Sequence, residues 1–152
     1  MIRKILKLIL VLIVMLTIFM FSSENDVKSS NRSDGLIIRT TEFVLNRKLT
    51  TFEKEIYVSR YVGIVRKSTH FTLYYILGLT FILFLSEYDL NNKKLLLFTI
   101  LFVFIYACSD ECHQLFVSGR SGEVLDVLID TFGGTVSSIL YLKFRVRRRL
   151  HE

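Results

Sequence analysis

The sequence contains no proline, no tryptophan and only two cysteines among its 152 residues. The cysteines, Cys108 and Cys112, are four positions apart in an apolar segment, and this spacing excludes the disulfide framework of a small secreted domain. Only three histidines are present, whereas a hydrolytic metal centre usually has several or a recognisable ligand spacing. No serine, cysteine or lysine stands in a context diagnostic of a nucleophile, so little points to covalent catalysis.

Apolar side chains are what the sequence has in excess: they form 51% of the residues, include 13 phenylalanines and are gathered into long runs. This pattern is typical of an integral membrane protein and not of a soluble domain. A chain of this length supplies one bundle of a few helices, so we predict a single domain over residues 1–152. The net charge of +6 lies mostly in short basic flanks of the apolar runs, which indicates a lipid bilayer and no nucleic acid as partner.

Four of the apolar runs are long enough to cross a hydrocarbon core of ~30 Å, and they cover about residues 5–21, 69–85, 95–117 and 124–142. The first run follows a basic start, as in a cleaved signal peptide. Its length, and the lack of a small-x-small cleavage site after it, favour an uncleaved helix. We therefore predict an all-α fold, an integral membrane four-helix bundle.

Residues 22–68 form a polar connection with nine Lys/Arg and six Asp/Glu. Its first part, SSENDVKSSNRSDG, is rich in Ser, Asn and Asp and is expected to be mobile. The next two stretches, LIIRTTEFVLNRKL and FEKEIYVSRYVGIVRK, mix apolar and charged residues at helical spacing. We predict that they form amphipathic helices which lie on the membrane face or cap the bundle. A solvated loop with some helix is the alternative.

Four spans place both chain termini on one side of the membrane. The number of basic residues does not decide which side, because each side carries ten. Their density does, since five of the seven residues from Lys143 to Arg149 are basic and the N-terminus is basic from Arg3. We predict a plasma membrane protein with both termini in the cytoplasm and residues 22–68 outside, although Arg66 and Lys67 argue for the opposite orientation.

The stretch DECHQLFVSGRSGEVLDVLIDTFGG, residues 110–134, brings charge into two otherwise apolar spans. An ionisable side chain deep in a bilayer costs at least ~2.5–3.5 kcal/mol, so several together require partners, water or a function. The start of the second span, the end of the third and the start of the fourth lie at one membrane face, the outer face in the predicted orientation. We expect a buried polar cluster there, composed of His70, Asp110, Glu111, Gln114, Arg120, Asp126 and Asp130.

The third span has an acidic face, and the fourth has a face on which acids alternate with small residues. Within about 100° of one another on the third span lie Asp110, Glu111 and Gln114. Within about 60° of one another on the fourth lie Asp126, Asp130, Gly133 and Ser137. Small residues predict close packing against a neighbouring helix. The two acidic faces are therefore expected to look at each other and at His70.

The order of these residues resembles the VanZ-like family, small membrane proteins named for a component of teicoplanin resistance. The resemblance rests on Phe21-Ser22-Ser23, Arg66-Lys67-x-x-His70-Phe71-x-x-Tyr74-x-x-Leu77-Gly78, Asp110-Glu111-x-His113-Gln114-x-Phe116, Gly119-Arg120-x-Gly122 and Asp126-x-x-x-Asp130-x-x-Gly133-Gly134. Many members have Pro where Ser118 stands, and some have Asn at Asp130, which indicates that charge at Asp130 is not essential. The resemblance implies a protein of the bacterial envelope implicated in glycopeptide or lipoglycopeptide tolerance.

Two functional interpretations of the cluster are open. In the first, the cluster binds or modulates an envelope component: a cell-wall precursor, a glycopeptide or an envelope enzyme. Lys67, His70 and Arg120 would contact a phosphate or carboxylate, while the acids position them. In the second, Glu111 or Asp126 forms an acid/base pair with His70, and the protein is a membrane-embedded enzyme acting on a lipid or cell-wall precursor.

Two further interpretations are a purely structural role and a metal site. The polar residues can serve only to fix helix packing, if Arg120 or Lys67 pairs with Asp126 or Asp110 and Gln114 bonds across helices. A metal could take ligands from His70, Glu111, His113, Asp126 and Asp130. Because histidines are few and their spacing is not recognisable, we predict no metal and no cofactor. The predicted binding residues are thus Lys67, His70, Asp110, Glu111, Gln114, Arg120, Asp126 and Asp130.

Overall fold

Helices make up nearly the whole of the protein in the computed structural model, which describes residues 1–149. In that range five helices and no strands are present: α1 (Ile2–Ser22), α2 (Asp26–Leu45), α3 (Thr51–Leu85), α4 (Asn92–Gln114) and α5 (Val124–Arg149). All of these except α2 are long and apolar enough to cross a membrane. The predicted all-α class with four spans is therefore confirmed.

Helix α3 is the centre of the bundle and contacts each of the other four helices. Its 35 residues make it about 52 Å long, well beyond the ~30 Å of a hydrocarbon core. The sequence predicted a separate amphipathic helix before the second span, and this was wrong because the two are one continuous helix. A capping box between Thr50 and Glu53 starts this helix, and no proline interrupts it.

Helix α2 occupies much of the stretch that was expected to be mobile. Asn25 caps its start, since the Asn25 side chain accepts a hydrogen bond from the backbone N–H of Lys28 at 3.0 Å. Ser33 and Ile37 are buried, and α2 packs along α3. The Ser- and Asn-rich segment is therefore helical from Asp26 onward. Residues 22–68 are thus a helical hairpin joined to the bundle.

The turn between α2 and α3 is held by side-chain contacts to the backbone. Asn46 ends α2 in the left-handed conformation, with φ of 50°. The Glu42 carboxylate accepts hydrogen bonds from Lys48 Nζ at 2.8 Å and from the backbone N–H of Leu49 at 3.1 Å. These bonds, that of Lys48 first, lower the pKa of Glu42 below its usual value. The turn therefore has a defined geometry.

The ends of the last two spans differ from their predicted positions. Helix α4 ends at Gln114 and not near Val117, so residues 115–123 form a longer connection than expected. Gly119 in this connection has φ of 78°, a conformation that a side chain disfavours. Helix α5 continues past residue 142 to Arg149. The basic segment after the fourth span is therefore helical, at least as far as Arg149.

Glycines allow α3 and α5 to touch backbone to backbone. A Cβ added at Gly78 of α3 would lie 2.6 Å from both the Cα and the carbonyl oxygen of Gly134 in α5. A Cβ added at Gly133 would lie 2.6 Å from the carbonyl oxygen of Phe71. The close packing expected from the small residues of the fourth span is present. It brings the residues just before Gly133 against α3.

Apolar side chains cover the outside of the bundle, while several polar ones are inside it. Large residues of the first span such as Leu6, Leu12 and Leu16 are exposed, as is usual for side chains that face lipid. Polar residues of the spans are buried instead: Thr80, Thr99, Asp110, Glu111, Gln114, Asp130, Ser137 and Ser138. The arrangement fits helices that associate through small and polar residues.

At the end of the bundle where the chain starts, Lys7 joins α1 to the connection between α3 and α4. Its Nζ donates to Glu87 Oε1 at 2.5 Å and to the carbonyl oxygen of Leu83 at 3.0 Å. The hydrogen bond from Lys7 lowers the pKa of the Glu87 carboxyl below its usual value. Lys7 therefore reaches a protein partner at the end of its span.

We expect Gly78→Ala to destabilise the protein by about 1–3 kcal/mol, because the new methyl group has no room against the backbone of Gly134. The matched control is Gly63→Ala in the same helix, where an added Cβ meets nothing within 4 Å. That change should be neutral or stabilising by up to ~1 kcal/mol. Thermal unfolding of the detergent-solubilised protein measures both, and equal melting temperatures for the two variants would contradict the close approach.

Candidate functional site

Four helix segments meet at the end of the bundle opposite to Lys7. They are the last turn of α1, the middle of α3, the last two turns of α4 and the first two turns of α5. Three contacts join them: Ser22 to Asp110, Lys67 to Asp126, and Arg120 to the carbonyl oxygen of Phe21. The topological prediction placed the polar residues of the last three spans at one face, and the structure puts the end of α1 there as well.

His70, Asp110, Glu111 and Asp130 form the centre of this site and are called the acidic cluster below. One nitrogen or oxygen atom from each of the four residues lies within 4.8 Å of the corresponding atom of every other. Asp110, Glu111 and Asp130 are buried, with 4%, 6% and 0% of their surface exposed. His70 is mostly buried. Three carboxyl groups and an imidazole thus share one small volume.

Two members of the acidic cluster have hydrogen-bond donors around them. The Ser22 hydroxyl donates to Asp110 Oδ2 at 2.8 Å, and the Gln114 amide donates to the same oxygen at 3.3 Å. The Gln114 amide also donates to Glu111 Oε1 at 2.9 Å, and the backbone N–H of Glu123 donates to Glu111 Oε2, also at 2.9 Å. These donors fix the orientation of both carboxyl groups.

Asp130 is different, because it has no such donors. Its side chain is fully buried, and neither carboxylate oxygen has a hydrogen-bond partner among residues 1–149. His70 Nδ1 lies 3.6 Å from Asp130 Oδ2, which is within ion-pair distance when His70 is protonated but too long for a hydrogen bond. The buried Tyr74 hydroxyl lies near Asp110 and Asp130 and also lacks a partner in that range. The centre of the cluster thus holds unused donor and acceptor atoms.

Arg120 closes the site from the connection between α4 and α5. Its guanidinium donates to the carbonyl oxygens of Phe21 and Glu24 at 3.1 and 3.2 Å, and to Gln114 Oε1 at 3.4 Å. The two carbonyl groups belong to the C-terminal end of α1, where the helix dipole favours a cation. Arg120 therefore links the end of α1 to the residue that orients Asp110 and Glu111.

Lys67 and Asp126 lie beside the acidic cluster and pair with each other across α3 and α5. Lys67 Nζ is also 3.4 Å from Glu123 Oε2. Both side chains are partly exposed, in contrast to the carboxyl groups of the cluster. This pair matches one element of the structural interpretation, in which Lys67 neutralises Asp126 and fixes helix register.

The structure separates the predicted residues into two sets. It brings His70, Asp110, Glu111 and Asp130 together, with Gln114 and Arg120 bonded around them. It leaves the Lys67–Asp126 pair at the rim. His113, considered as a ligand from the sequence, lies outside the cluster, where its Nε2 is 3.1 Å from Ser23 Oγ. Gln114 was proposed to bond across helices, but it contacts Asp110 and Glu111 of its own helix and Arg120 of the next connection.

Two members of the site were not predicted from the sequence. Ser22 was noted only as part of the Phe21-Ser22-Ser23 sequence that ends the first span. Tyr74 was noted as part of the sequence that starts the second span, yet it is fully buried and its hydroxyl lies near the acids. The available signal was their place in the VanZ-like pattern, since both stand at positions that carry the resemblance. Periodicity alone gave no reason to choose Ser22 over Ser23.

Two adjoining cavities lie beside the acidic cluster and share Arg66, His70 and Arg120 in their linings. One of about 240 Å³ lies between α2 and α3 and has Arg32 and Glu24 in its wall. The other, of about 160 Å³, is bordered by the Lys67–Asp126 pair. Basic side chains outnumber acidic ones in both linings. The cavities are therefore suited to an anionic group, with His70 between them and the buried acids.

The chemistry that these residues can carry out follows from their types. An imidazole beside buried carboxyl groups can hold or transfer a proton, which supports acid/base chemistry. Arginine side chains can bind a phosphate or a carboxylate through paired hydrogen bonds. Oxygen and nitrogen atoms converging within 4.8 Å can surround a cation.

Comparison with known proteins gives one match. The model of one protein family, VanZ/LLP1, matches residues 8–146, a range that contains every residue of the site. No curated protein matches the chain, and no solved structure matches it. The family match agrees with the resemblance found in the sequence motifs.

We expect Ser22→Ala to destabilise the protein by about 1–3 kcal/mol, because a buried Asp110 carboxylate would lose its shortest hydrogen bond. Its neighbour provides the control. Ser23 is exposed and its hydroxyl donates to the carbonyl oxygen of Phe19, so Ser23→Ala should cost less than ~1 kcal/mol. Thermal unfolding in detergent measures both, and a larger loss in Ser23→Ala than in Ser22→Ala would show that the Ser22 bond does not hold the site together.

Proposed function

The chain belongs to the VanZ/LLP1 family, and on that premise we propose that this membrane protein contributes to glycopeptide tolerance by binding an anionic envelope component. The binding site is the pair of cavities that meet at His70. The ligand class is a phosphate or carboxylate group carried by a cell-wall precursor, a lipid headgroup or a glycopeptide. Teicoplanin is the drug for which the effect is expected, because the family is named for resistance to it.

The observation that carries this proposal is the set of basic side chains around the two cavities. Arg66 and Arg120 line both cavities, while Arg32 lines the larger one and Lys67 the smaller. Arg120 bonds to Gln114 next to the buried carboxyl groups, so its positive charge offsets the repulsion between those groups and an anion. Planar guanidinium groups recognise phosphate and carboxylate through two parallel hydrogen bonds. An anion can thus bind at the rim without contacting the acids.

The proposed action takes place at the outer face of the plasma membrane, with both termini in the cytoplasm. Support comes from the density of basic residues at the C-terminus, where positive charge retains a segment on the cytoplasmic side. Envelope precursors and glycopeptides meet at the outer face. The hairpin of α2 and the first half of α3 then lies outside, where it forms one wall of the larger cavity.

An enzymatic alternative is favoured by a specific observation, the 3.6 Å approach of His70 Nδ1 to Asp130 inside the acidic cluster. In that case His70 and Glu111 would transfer protons to and from a ligand bound in the cavities. Asp126, the other candidate from the sequence, is a weaker one because it pairs with Lys67. The binding function requires only the rim, whereas the enzymatic one requires the cluster as well.

We expect Arg66→Gln to abolish the teicoplanin tolerance that the wild-type protein confers on cells lacking it, because the change removes a cation common to both cavities. The matched control is Arg60→Gln, an exposed residue of the same helix that lines neither cavity. It should leave the minimum inhibitory concentration unchanged. Glu111→Gln is measured alongside. A loss of teicoplanin tolerance in this variant, in which Arg66 is intact, would favour the enzymatic alternative.

Membrane abundance and melting temperature are recorded for every variant in the same experiment. The proposal is wrong if the wild-type protein does not change teicoplanin susceptibility. It is also wrong if Arg60→Gln and Arg66→Gln lose tolerance equally at normal abundance. A loss that follows melting temperature across all variants would instead favour the interpretation in which the polar residues only fix helix packing.

The orientation makes a separate prediction. A thiol introduced by Asn46→Cys, in a protein with Cys108 and Cys112 changed to Ser, should react with a membrane-impermeant reagent in intact cells, because the α2–α3 turn would lie outside. A fluorescent protein fused to the C-terminus should fold and fluoresce in the same cells. Labelling of residue 46 only after cell lysis would place the site on the cytoplasmic side and overturn an outer-face function.

A further inference from the structure

We propose that the acidic cluster binds one divalent cation of the Mn²⁺ or Zn²⁺ type through His70, Asp110, Glu111 and Asp130. The sequence alone argued against a metal, because histidines are few and no ligand spacing is recognisable. The structure changes that assessment because the ligands come from three different helices: α3, α4 and α5. Such a site has no signature of short, regular spacing in the sequence.

The distances between the ligand atoms fit a small cation. Two atoms bound at ~2.1 Å to one ion are ~3.4 Å apart in tetrahedral geometry and at most about 4.2 Å apart when they are opposite each other. The four atoms here all lie within 4.8 Å of one another. Side-chain movements of less than ~1 Å would therefore bring all four to bonding distance.

The lack of hydrogen bonds to the buried Asp130 carboxylate is the independent observation that points to a ligand. Its side chain is 0% exposed, it lies within the group of four, and its two carboxylate oxygens have no hydrogen-bond partner among the described residues. A buried carboxylate without hydrogen bonds is costly, and proteins normally pair it or coordinate a metal with it. The His70 imidazole, at 3.6 Å from Oδ2, can pair with only one of the two oxygens. The nearest lysine, Lys67, is already engaged by Asp126 and Glu123. A cation between the four residues would give one Asp130 oxygen the partner that it lacks.

The surroundings resemble the outer shell of a metal site. Ligating carboxylates in proteins are usually oriented by further hydrogen bonds. Asp110 receives such a bond from Ser22, and Glu111 receives them from Gln114 and from the backbone of Glu123. The bonds to Asp110 both reach Oδ2, and those to Glu111 reach one oxygen each, so both carboxylates keep lone pairs for a further ligand. Asp130 and His70 have no competing donor there, so all four residues can contribute one bond.

The ligand types indicate the class of ion. Three carboxylates with one imidazole suit Mn²⁺ or Zn²⁺, whereas Mg²⁺ and Ca²⁺ prefer oxygen ligands alone and Cu⁺ prefers sulfur. The charge also agrees, since a divalent ion neutralises most of three carboxylates. His70 lies between this position and both cavities, so an anionic group bound there would approach the ion. Binding of the cation does not depend on that second ligand.

The test uses the whole protein purified in detergent and treated with EDTA, followed by addition of Mn²⁺ or Zn²⁺ alone. We expect about one equivalent of one of these ions to be retained after desalting, as measured by mass spectrometry, and a rise in melting temperature with added ion. Asp130→Asn and Glu111→Gln should each weaken the affinity at least about tenfold. Glu55→Gln, which removes an exposed carboxylate of α3 outside the site, should bind like the wild type.

Each other outcome overturns the proposal. If the EDTA-treated wild type retains neither ion and its melting temperature does not respond up to millimolar concentrations, the cluster does not bind a cation. If Asp130→Asn and Glu111→Gln bind as tightly as Glu55→Gln, the ion lies elsewhere. Asp130→Asn removes a buried charge and should fold without metal. If one variant fails to fold, the other variant and the titration of the wild type still show whether the acidic cluster binds the ion.

Discussion

Contact between the backbones of α3 and α5 is the constraint on which the rest of the protein depends. Gly78 and Gly134 leave no room for a Cβ between the two helices, so the helices touch backbone to backbone. His70 lies two turns before Gly78 on α3, and Asp130 lies one turn before Gly134 on α5. The same approach therefore brings an imidazole and a carboxyl group to 3.6 Å inside the bundle. Bulkier residues at the crossing point would separate them.

Buried polar side chains contribute to helix association here, beside the buried apolar ones. In a bilayer the hydrophobic effect does not drive helices together, because lipid tails are as apolar as leucine. Helix association then depends on packing and on hydrogen bonds such as those from Ser22, Gln114 and Arg120. These bonds all lie at one end of the bundle, while Lys7 and Glu87 join the helices at the other. The middle is held mainly by small residues and buried apolar side chains.

Much of the fold and part of the site followed from the sequence. Apolar runs of sufficient length identify spans directly, and alternation of direction then places His70, Asp110 and Asp130 at one face. The rotation of each helix about its axis is not fixed by such reasoning, so Asp126 and Asp130 appeared equivalent until the packing of α3 against α5 distinguished them. The first half of α2 was missed because its composition is rich in Ser and Asn, whereas its second half lies in a stretch that was predicted to be an amphipathic helix. The burial of Tyr74 did not follow from its place in the sequence pattern.

Because α3 is one unbroken helix, a movement at its start would also move the part that carries His70. From Thr51 to Leu85 no proline or turn interrupts the helix, so the part that packs against α2 and the part that carries His70 are one rigid rod. The α2–α3 turn lies about 30 Å along that rod from His70. With the glycine contact at Gly78 as the pivot, a tilt of about 10° would move the turn by about 7 Å and His70 by about 2 Å. A displacement of the turn would therefore reach His70 at about a third of its size.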